Sequence, residues 1–423
     1  MRTVEHRLGS GLVGLLVLCA APAVFEAQSA APTARSGFAA DRLTRIDRFL
    51  QEAVDSSRIG GAVALVLRDG HPVYSKAFGW ADKEAGRRMS TDAIFRIASK
   101  TKALTSVAVM MLLEEGKLAL EDAVSRWLPS FAKTTVAVSA DSVVPSKRQI
   151  TIKDLLTHSA GISYGTNRMV AAKYQAKGFG PAAGYGWYLA DKDETDCDSM
   201  DRLATLPFMA QPGEAFVYGY NSDVLGCVVE RVSGMPLDEF LRTRITQPLG
   251  MRDTWFFLPT ALRARLTAVY ASDSTGHTVR APDGPRGQGN YVDGPRRDFS
   301  GGAGLLSTAG DYARFLEMLR NHGALAGVRL LSPHSVDLMT TNQVGTLYNA
   351  SGQGFGLGFY TIDRYGAYGL RSVGSFGWGS AYAGIYWVDP KERLTAVFMI
   401  QQIPDQSGVP MKFADLVYQA LLN

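Results

Sequence analysis

The sequence predicts an α+β fold: one antiparallel sheet, assembled from hairpins at the two ends of the chain and flanked by helices, with a mostly helical region inserted between them. Three observations carry this prediction. Two strand-like runs, Gly61-Ala-Val-Ala-Leu-Val-Leu-Arg-Asp-Gly70 and His71-Pro-Val-Tyr-Ser-Lys-Ala-Phe78, are joined by an Asp-Gly turn. A second pair, Ala381 to Val388 and Leu394 to Ile400, is split by Asp389-Pro-Lys-Glu-Arg393. The stretch between the pairs is dominated by helical and loop-like patterns.

At the N-terminus, Arg2 and Arg7 precede an apolar run from Leu12 to Phe25, and Ala27-Gln28-Ser29 has the small-x-small pattern of a cleavage site. Residues 1–29 are therefore expected to be a secretory signal, and the mature protein to be exported, periplasmic or secreted. The apolar run is shorter than the roughly 20 residues that span a bilayer, so no stable membrane insertion is expected after cleavage. A retained anchor is the alternative, and Leu16-Val17-Leu18-Cys19 departs from a lipoprotein box at the bulky Leu18. Residues 30–40, rich in Ala, Ser and Pro, read as a linker to a domain over 41–423. Its sheet is expected from about 41–98 and 370–423, and its helical region from about 99–369.

Within that domain, Leu43, Ile46, Phe49, Leu50 and Val54 recur at helical spacing, which predicts a first helix over Ala39–Val54. The run Ala103–Leu113 is apolar almost all round, as a helix buried in the core would be. Met411–Leu422 returns to helical spacing and predicts a closing helix.

Composition narrows the function. Of 423 residues, 46% are hydrophobic and 20% charged, as in a folded globular protein. With 44 basic and 40 acidic residues the formal charge is +4, and no dense Lys/Arg run exists, so a nucleic-acid partner is not expected. The expected partner is a small molecule; oligomeric state is not readable. There is no His-Glu-x-x-His, no Cys-x-x-Cys and no phosphate-binding glycine loop, so no metal or other cofactor is expected. Three cysteines make no disulfide scaffold. Cys19 would leave with the signal, and Cys197 and Cys227 are either bridged or buried as free thiols.

Chemistry concentrates at Ser99-Lys100-Thr101-Lys102, an S-x-x-K at the start of the buried helix. Ser and Lys three apart share one face of a helical turn. A desolvated lysine can take the serine proton, and the N–H groups of a helix start can stabilise an oxyanion. The motif alone is weak, because Ser130-Phe-Ala-Lys133 also matches it. That second match follows Pro129 and leads into a polar stretch rather than a buried helix.

The surroundings of Ser99 add specificity. Phe95-Arg-Ile-Ala-Ser-Lys-Thr-Lys102 is followed by Leu113-Glu-Glu-Gly-Lys-Leu118, Trp127-Leu-Pro129, Ile150-Thr-Ile-Lys-Asp-Leu-Leu-Thr-His-Ser-Ala-Gly161, Pro212-Gly213, Val224-Leu-Gly226 and Pro248-Leu-Gly-Met251. In order and across nearly all of the mature chain, these segments resemble the serine β-lactamase (class C) and penicillin-binding-protein superfamily, closest in motif form to family VIII carboxylesterases. The resemblance implies a β-lactamase/transpeptidase-like fold and a serine hydrolase in which Ser99 is acylated with Lys102 as its partner. It also implies a catalytic tyrosine, which the match places at Tyr218 in Phe216-Val-Tyr218-Gly-Tyr220-Asn221. Tyr220 stands where the family's Tyr-x-Asn has Asn, and is expected to touch substrate or, alternatively, to replace Tyr218.

The family's Lys-Thr-Gly is absent. Gly377-Trp378-Gly379-Ser380-Ala381 looks like the Trp-Gly-Gly form of the carboxylesterases, with Ser380 in place of the last Gly. By that match the N–H groups of Ser99 and Ala381 form the oxyanion hole, with Ser380 as the alternative donor, and Trp378, Gly379 and Ser380 contact substrate. The loss of Tyr-x-Asn and Lys-Thr-Gly tilts the expectation toward a carboxylesterase with weak β-lactam hydrolysis. A true class C-like β-lactamase, a D-amino-acid or D,D-peptidase, and a penicillin-binding sensor without turnover are the other readings. An aromatic insertion over Tyr164–Asp196, with Tyr174, Phe179, Tyr185, Trp187 and Tyr188, is expected to wall the site.

A rival nucleophile exists. Gly161-Ile-Ser163-Tyr-Gly165 satisfies the G-x-S-x-G elbow, but that elbow needs a strand before it and a helix after it, and Lys153–Ala160 reads as helix and loop. His158 is expected to be a structural hydrogen-bonding residue.

Overall fold

The N-terminal hairpin forms where Asp69 and Gly70 both take positive φ, 53° and 78°, the backbone that a two-residue turn between twisted strands requires. The computed structural model describes Met1 and residues 37–179, 191–284 and 287–422. The chain divides into residues 1–31 and one compact unit over 32–423, and only the second is described beyond Met1. The expectations for the signal and linker over 2–36, and for Tyr185, Trp187 and Tyr188, lie outside the described residues.

Among the described residues one antiparallel sheet has eight strands: β1 (Gly61–Arg68), β2 (His71–Asp82), β3 (Arg87–Arg88), β4 (Gln353–Phe355), β5 (Tyr360–Ile362), β6 (Phe376–Gly379), β7 (Ile385–Asp389) and β8 (Leu394–Met399). Their order is β4-β5-β6-β7-β8-β1-β2-β3, so the last strand of the chain pairs with the first, with Val66 opposite Ala396. β1 is buried along its whole length because its side chains alternate between two cores. Val63, Leu65 and Leu67 join the larger cluster on one face, while Ala62, Ala64 and Val66 join a smaller one on the other. The sheet reaches further back in sequence than expected. β4 and β5 are three residues each, too short for alternation to show, and they fall in the stretch read as helical.

Of the ten α-helices among the described residues, seven frame the sheet and the site: α1 (Ala40–Asp55), α2 (Thr101–Glu114), α3 (Ile152–Leu156), α4 (Asp196–Leu203), α5 (Asn221–Ser233), α6 (Ala309–Arg320) and α7 (Val409–Gln419). α1 and α7 pack together over the smaller core, through Leu43, Ile46 and Leu50 against Phe413 and Val417. α2 and α6 lie in the larger core, and α2 is buried from Thr101 to Leu112, which explains its nearly uninterrupted apolar sequence. α5 packs on α2, and a disulfide between Cys197 and Cys227, with Cα atoms 5.3 Å apart, ties α4 to α5. No helix among the described residues is long and apolar enough to cross a membrane.

Candidate active site

The site is built at the start of α2. Ala98 takes φ +42°, a conformation that costs a non-glycine residue about 1–3 kcal/mol, and its methyl packs with Val269, Ala281 and Tyr382. A 3₁₀ turn over Ala98–Lys100 then leads into the helix, so Ser99 stands where amide N–H groups have no intrahelical acceptor. Tyr312 anchors this turn by donating to the Lys100 carbonyl at 2.9 Å, and Leu305 N–H donates to Thr101 Oγ1 at 3.1 Å.

Lys102, only 2% exposed, places Nζ 3.4 Å from Ser99 Oγ, 2.9 Å from Tyr164 Oη and 2.7 Å from the Gly302 carbonyl. These three oxygens surround the nitrogen within hydrogen-bond reach. The Tyr218 ring lies 4.9 Å from the same nitrogen. Burial, reinforced by Tyr218 and Asp223, pushes the Tyr164 phenol well above its ordinary pKa, so it is neutral and able to pass on a proton.

Gly302 is held by α5. Asp223 Oδ1 accepts from Ser300 Oγ at 2.5 Å and from the Gly302 N–H at 3.1 Å, while Thr105 Oγ1 donates to the Gly301 carbonyl at 2.7 Å. The loop that supplies an acceptor to Lys102 is thereby fixed to both helices.

Tyr218 precedes α5, and its hydroxyl accepts a 3.0 Å hydrogen bond from Trp378 Nε1. Gly219 lets this segment approach the Tyr164 loop: a Cβ there would lie 2.3 Å from the Ile162 carbonyl oxygen. His158 closes the layer behind, with its ring 4.7 Å from that of Tyr218. Asn221 Nδ2 lies 2.9 Å from His158 Nδ1 and donates to the Ile162 and Val217 carbonyls, each at 3.2 Å. Burial, then the Lys102 charge, hold the His158 pKa well below the usual range. His158 is a neutral wedge among aromatic rings.

One cavity of about 500 Å³ gathers Ser99, Tyr164, Tyr218, Trp378, Gly379, Ser380 and Ala381, together with Tyr348, Tyr360, Arg371 and neighbours. The sequence-derived positions Ser99, Tyr218, Trp378, Gly379, Ser380 and Ala381 thus share one wall-to-wall space, with Lys102 just beneath Ser99. The Ala381 N–H donates to no acceptor among the described residues. Tyr220 is a correction: it is not among the cavity-lining residues. At Tyr220 the backbone turns into α5, and its ring is buried edge-on against Tyr164 (4.8 Å) and Phe179 (5.3 Å).

Tyr164 is the residue whose place the sequence did not reveal. It was expected only in a wall over the site, yet it bonds Lys102; its one signal is its position directly after His-Ser-Ala-Gly161. Of the rest of that wall, Tyr174 and Phe179 are buried behind the cavity rather than lining it. Ser163 follows α3 and a loop rather than a strand, and its hydroxyl accepts from the Gly165 N–H at 3.0 Å, a local turn. Ser130 Oγ donates to Asp201 Oδ1 at an exposed position. Among the described residues no cluster of three His, Cys, Asp or Glu side chains is arranged to hold a metal ion.

Residues 46–419 match the Beta-lactamase family. The chain belongs to the beta-lactamase family. Esterase EstB of Burkholderia gladioli is 34% identical over 409 residues, covering 93% of this chain and 99% of the relative. Lovastatin esterase of Penicillium rubens is 32% identical over 402 residues, covering 86% and 94%. Among solved structures, EstCE1, described as a hydrolase with promiscuous acyltransferase activity, matches with a TM-score of 0.76 at 29% identity, over 89% of this chain and 98% of its own. This beta-lactamase-family protein is a serine hydrolase with the β-lactamase/transpeptidase-like fold.

Proposed function

We propose that this beta-lactamase-family hydrolase is a carboxylesterase that works through a Ser99 acyl-enzyme. Ser99 Oγ gives its proton to the Lys102 amine, which passes it on through Tyr218, and bonds to the ester carbonyl carbon, whose oxygen becomes the oxyanion. The N–H groups of Ser99 and Ala381 stabilise that charge. Tyr218, oriented by Trp378, returns the proton to the departing alkoxide, and water then releases the acid by the same route. The observation that carries this reading is the buried Lys102 Nζ at 3.4 Å from Ser99 Oγ, beneath a cavity that Tyr218 also lines.

Ester over lactam is supported by the absence of Lys-Thr-Gly, by the aromatic lining, and by relatives described as esterases. The test is hydrolysis of p-nitrophenyl butyrate beside a chromogenic cephalosporin by the mature protein and its Ser99→Ala and Ser163→Ala variants. Loss of ester turnover in Ser99→Ala alone, with poor cephalosporin cleavage, supports the proposal. A cephalosporin turned over better than the ester makes the protein a β-lactamase instead.

Export is part of the proposal. It rests on Arg2, Arg7, the Leu12–Phe25 run and Ala27-Gln28-Ser29, and on a disulfide that an oxidising compartment sustains. Sequencing the N-terminus of protein recovered from outside the cytoplasm is expected to begin shortly after Ala27; an intact Met1 would contradict it.

A further inference from the structure

Arg371 lies in the loop between β5 and β6 and is only 2% exposed, yet it lines the same cavity as Ser99. Its Nη1 donates to the Tyr368 carbonyl at 3.2 Å, and its Nε is buried with no hydrogen-bond partner. Among the described residues no carboxylate oxygen lies within 4.0 Å of its nitrogens. The nearby carboxylate of Asp389 is already committed, accepting from Ser372 N–H, Glu392 N–H and the Tyr418 hydroxyl. The guanidinium instead sits over the Tyr368 and Trp387 rings, at 4.4 and 4.9 Å, which offset part of its desolvation.

A buried guanidinium without a counter-charge is costly, and such groups normally have an anion paired with them. The Tyr360 hydroxyl is buried beside it and lines the cavity, and the Arg371 guanidinium, its polar neighbour, opposes the burial-driven rise of its pKa by charge and hydrogen bonding. The Tyr360 ring in turn lies 6.4 Å from that of Trp378, which bonds Tyr218. A guanidinium without a carboxylate partner and a neighbouring hydroxyl therefore share one space with the nucleophile.

We propose that Arg371, with Tyr360, is a subsite for a carboxylate carried by the substrate, so that the preferred esters are anionic ones with a carboxylate remote from the bond cleaved. This rests on the Ser99 acyl-enzyme reading and names its substrate class. A guanidinium donates two parallel hydrogen bonds to a carboxylate, and a charge-assisted bond of this kind is worth about tenfold or more in selectivity.

The test compares matched esters on both sides of the bond: mono-p-nitrophenyl glutarate against p-nitrophenyl valerate, and 4-carboxyphenyl butyrate against phenyl butyrate. The wild type is expected to favour the carboxylate member of at least one pair by about tenfold or more in kcat/KM. Arg371→Gln is expected to bring that ratio to near one, and Tyr360→Phe to lower it severalfold, so that the second variant decides if the first does not fold. Neutral members preferred in both pairs, or a carboxylate preference that survives both substitutions, would overturn the proposal. Glutarate separates this from the esterase reading: it is expected to raise the Tm of Ser99→Ala, which cannot turn over, and not that of Ser99→Ala/Arg371→Gln. Equal shifts, or no shift, count against the subsite even if ester hydrolysis through Ser99 is established.

Discussion

Replacing Lys100 with Met is expected to stabilise the protein most at neutral and acidic pH. Lys100 is the second residue of the motif, and its side chain leaves the site altogether. It is 1% exposed, with Nζ 3.3 Å from the Phe398 carbonyl and 3.1 Å from Met399 Sδ on β8. Burial pushes its pKa from 10.5 down to about 7. Between those values the unfolded chain holds a proton that the folded chain does not, so stability rises with pH from about 7 to about 10.5. At about 1.4 kcal/mol for each pH unit, the ceiling on this penalty is about 5 kcal/mol; it is fully present below pH 7 and gone above 10.5. Met keeps the volume and the thioether contact and removes the charge. Urea unfolding of the wild type and Lys100→Met at pH 6, 8 and 10 reads the difference directly. The variant is expected to be several kcal/mol more stable at pH 6, with the gap closing toward pH 10. A gap that does not change with pH, or a variant less stable at pH 6, would refute the reasoning.

Three other outcomes follow from the same geometry. Tyr164→Phe removes one of three acceptors around Lys102 and is expected to lower kcat for p-nitrophenyl butyrate by about 10- to 100-fold, whereas Tyr220→Phe, lying behind the cavity, changes it less than threefold or so. Asp223→Ala frees the Gly302 loop and is expected to lower kcat by roughly tenfold with little change in KM, while Asp223→Asn, which keeps the Oδ1 acceptor, restores most of it; equal losses in both variants would point to a different role. Cys227→Ser opens the Cys197–Cys227 bridge, whose partners are 30 residues apart, and is expected to cost about 3–4 kcal/mol in chemical unfolding.

Much of the fold was legible because its signals are local. The Asp69-Gly70 turn, the alternation in β1 and the apolar run of α2 each sit within a dozen residues, and Ser99 and Lys102 share a helical turn. What stayed hidden depends on contacts between distant segments. β4 and β5 are too short to show a period and exist because they extend an edge that β6 provides. Tyr164 reaches Lys102 only because Gly219 allows two loops to close together. Tyr220 and Tyr218 cannot be told apart by composition, since the start of α5 decides which ring faces the cavity. Arg371 is one arginine in a glycine-rich stretch, and nothing nearby in sequence marks it as buried or short of a counter-charge.

The claim that organises this account is that Ser99 carries the acyl group. Acid-quenched protein from turnover of p-nitrophenyl butyrate, digested and mapped by mass spectrometry, tests it at the atom concerned. A butyryl group on the peptide containing Ser99, present in Ser163→Ala and absent in Ser99→Ala, is the predicted result. A butyryl group on Ser163, or one that persists in Ser99→Ala, would contradict it.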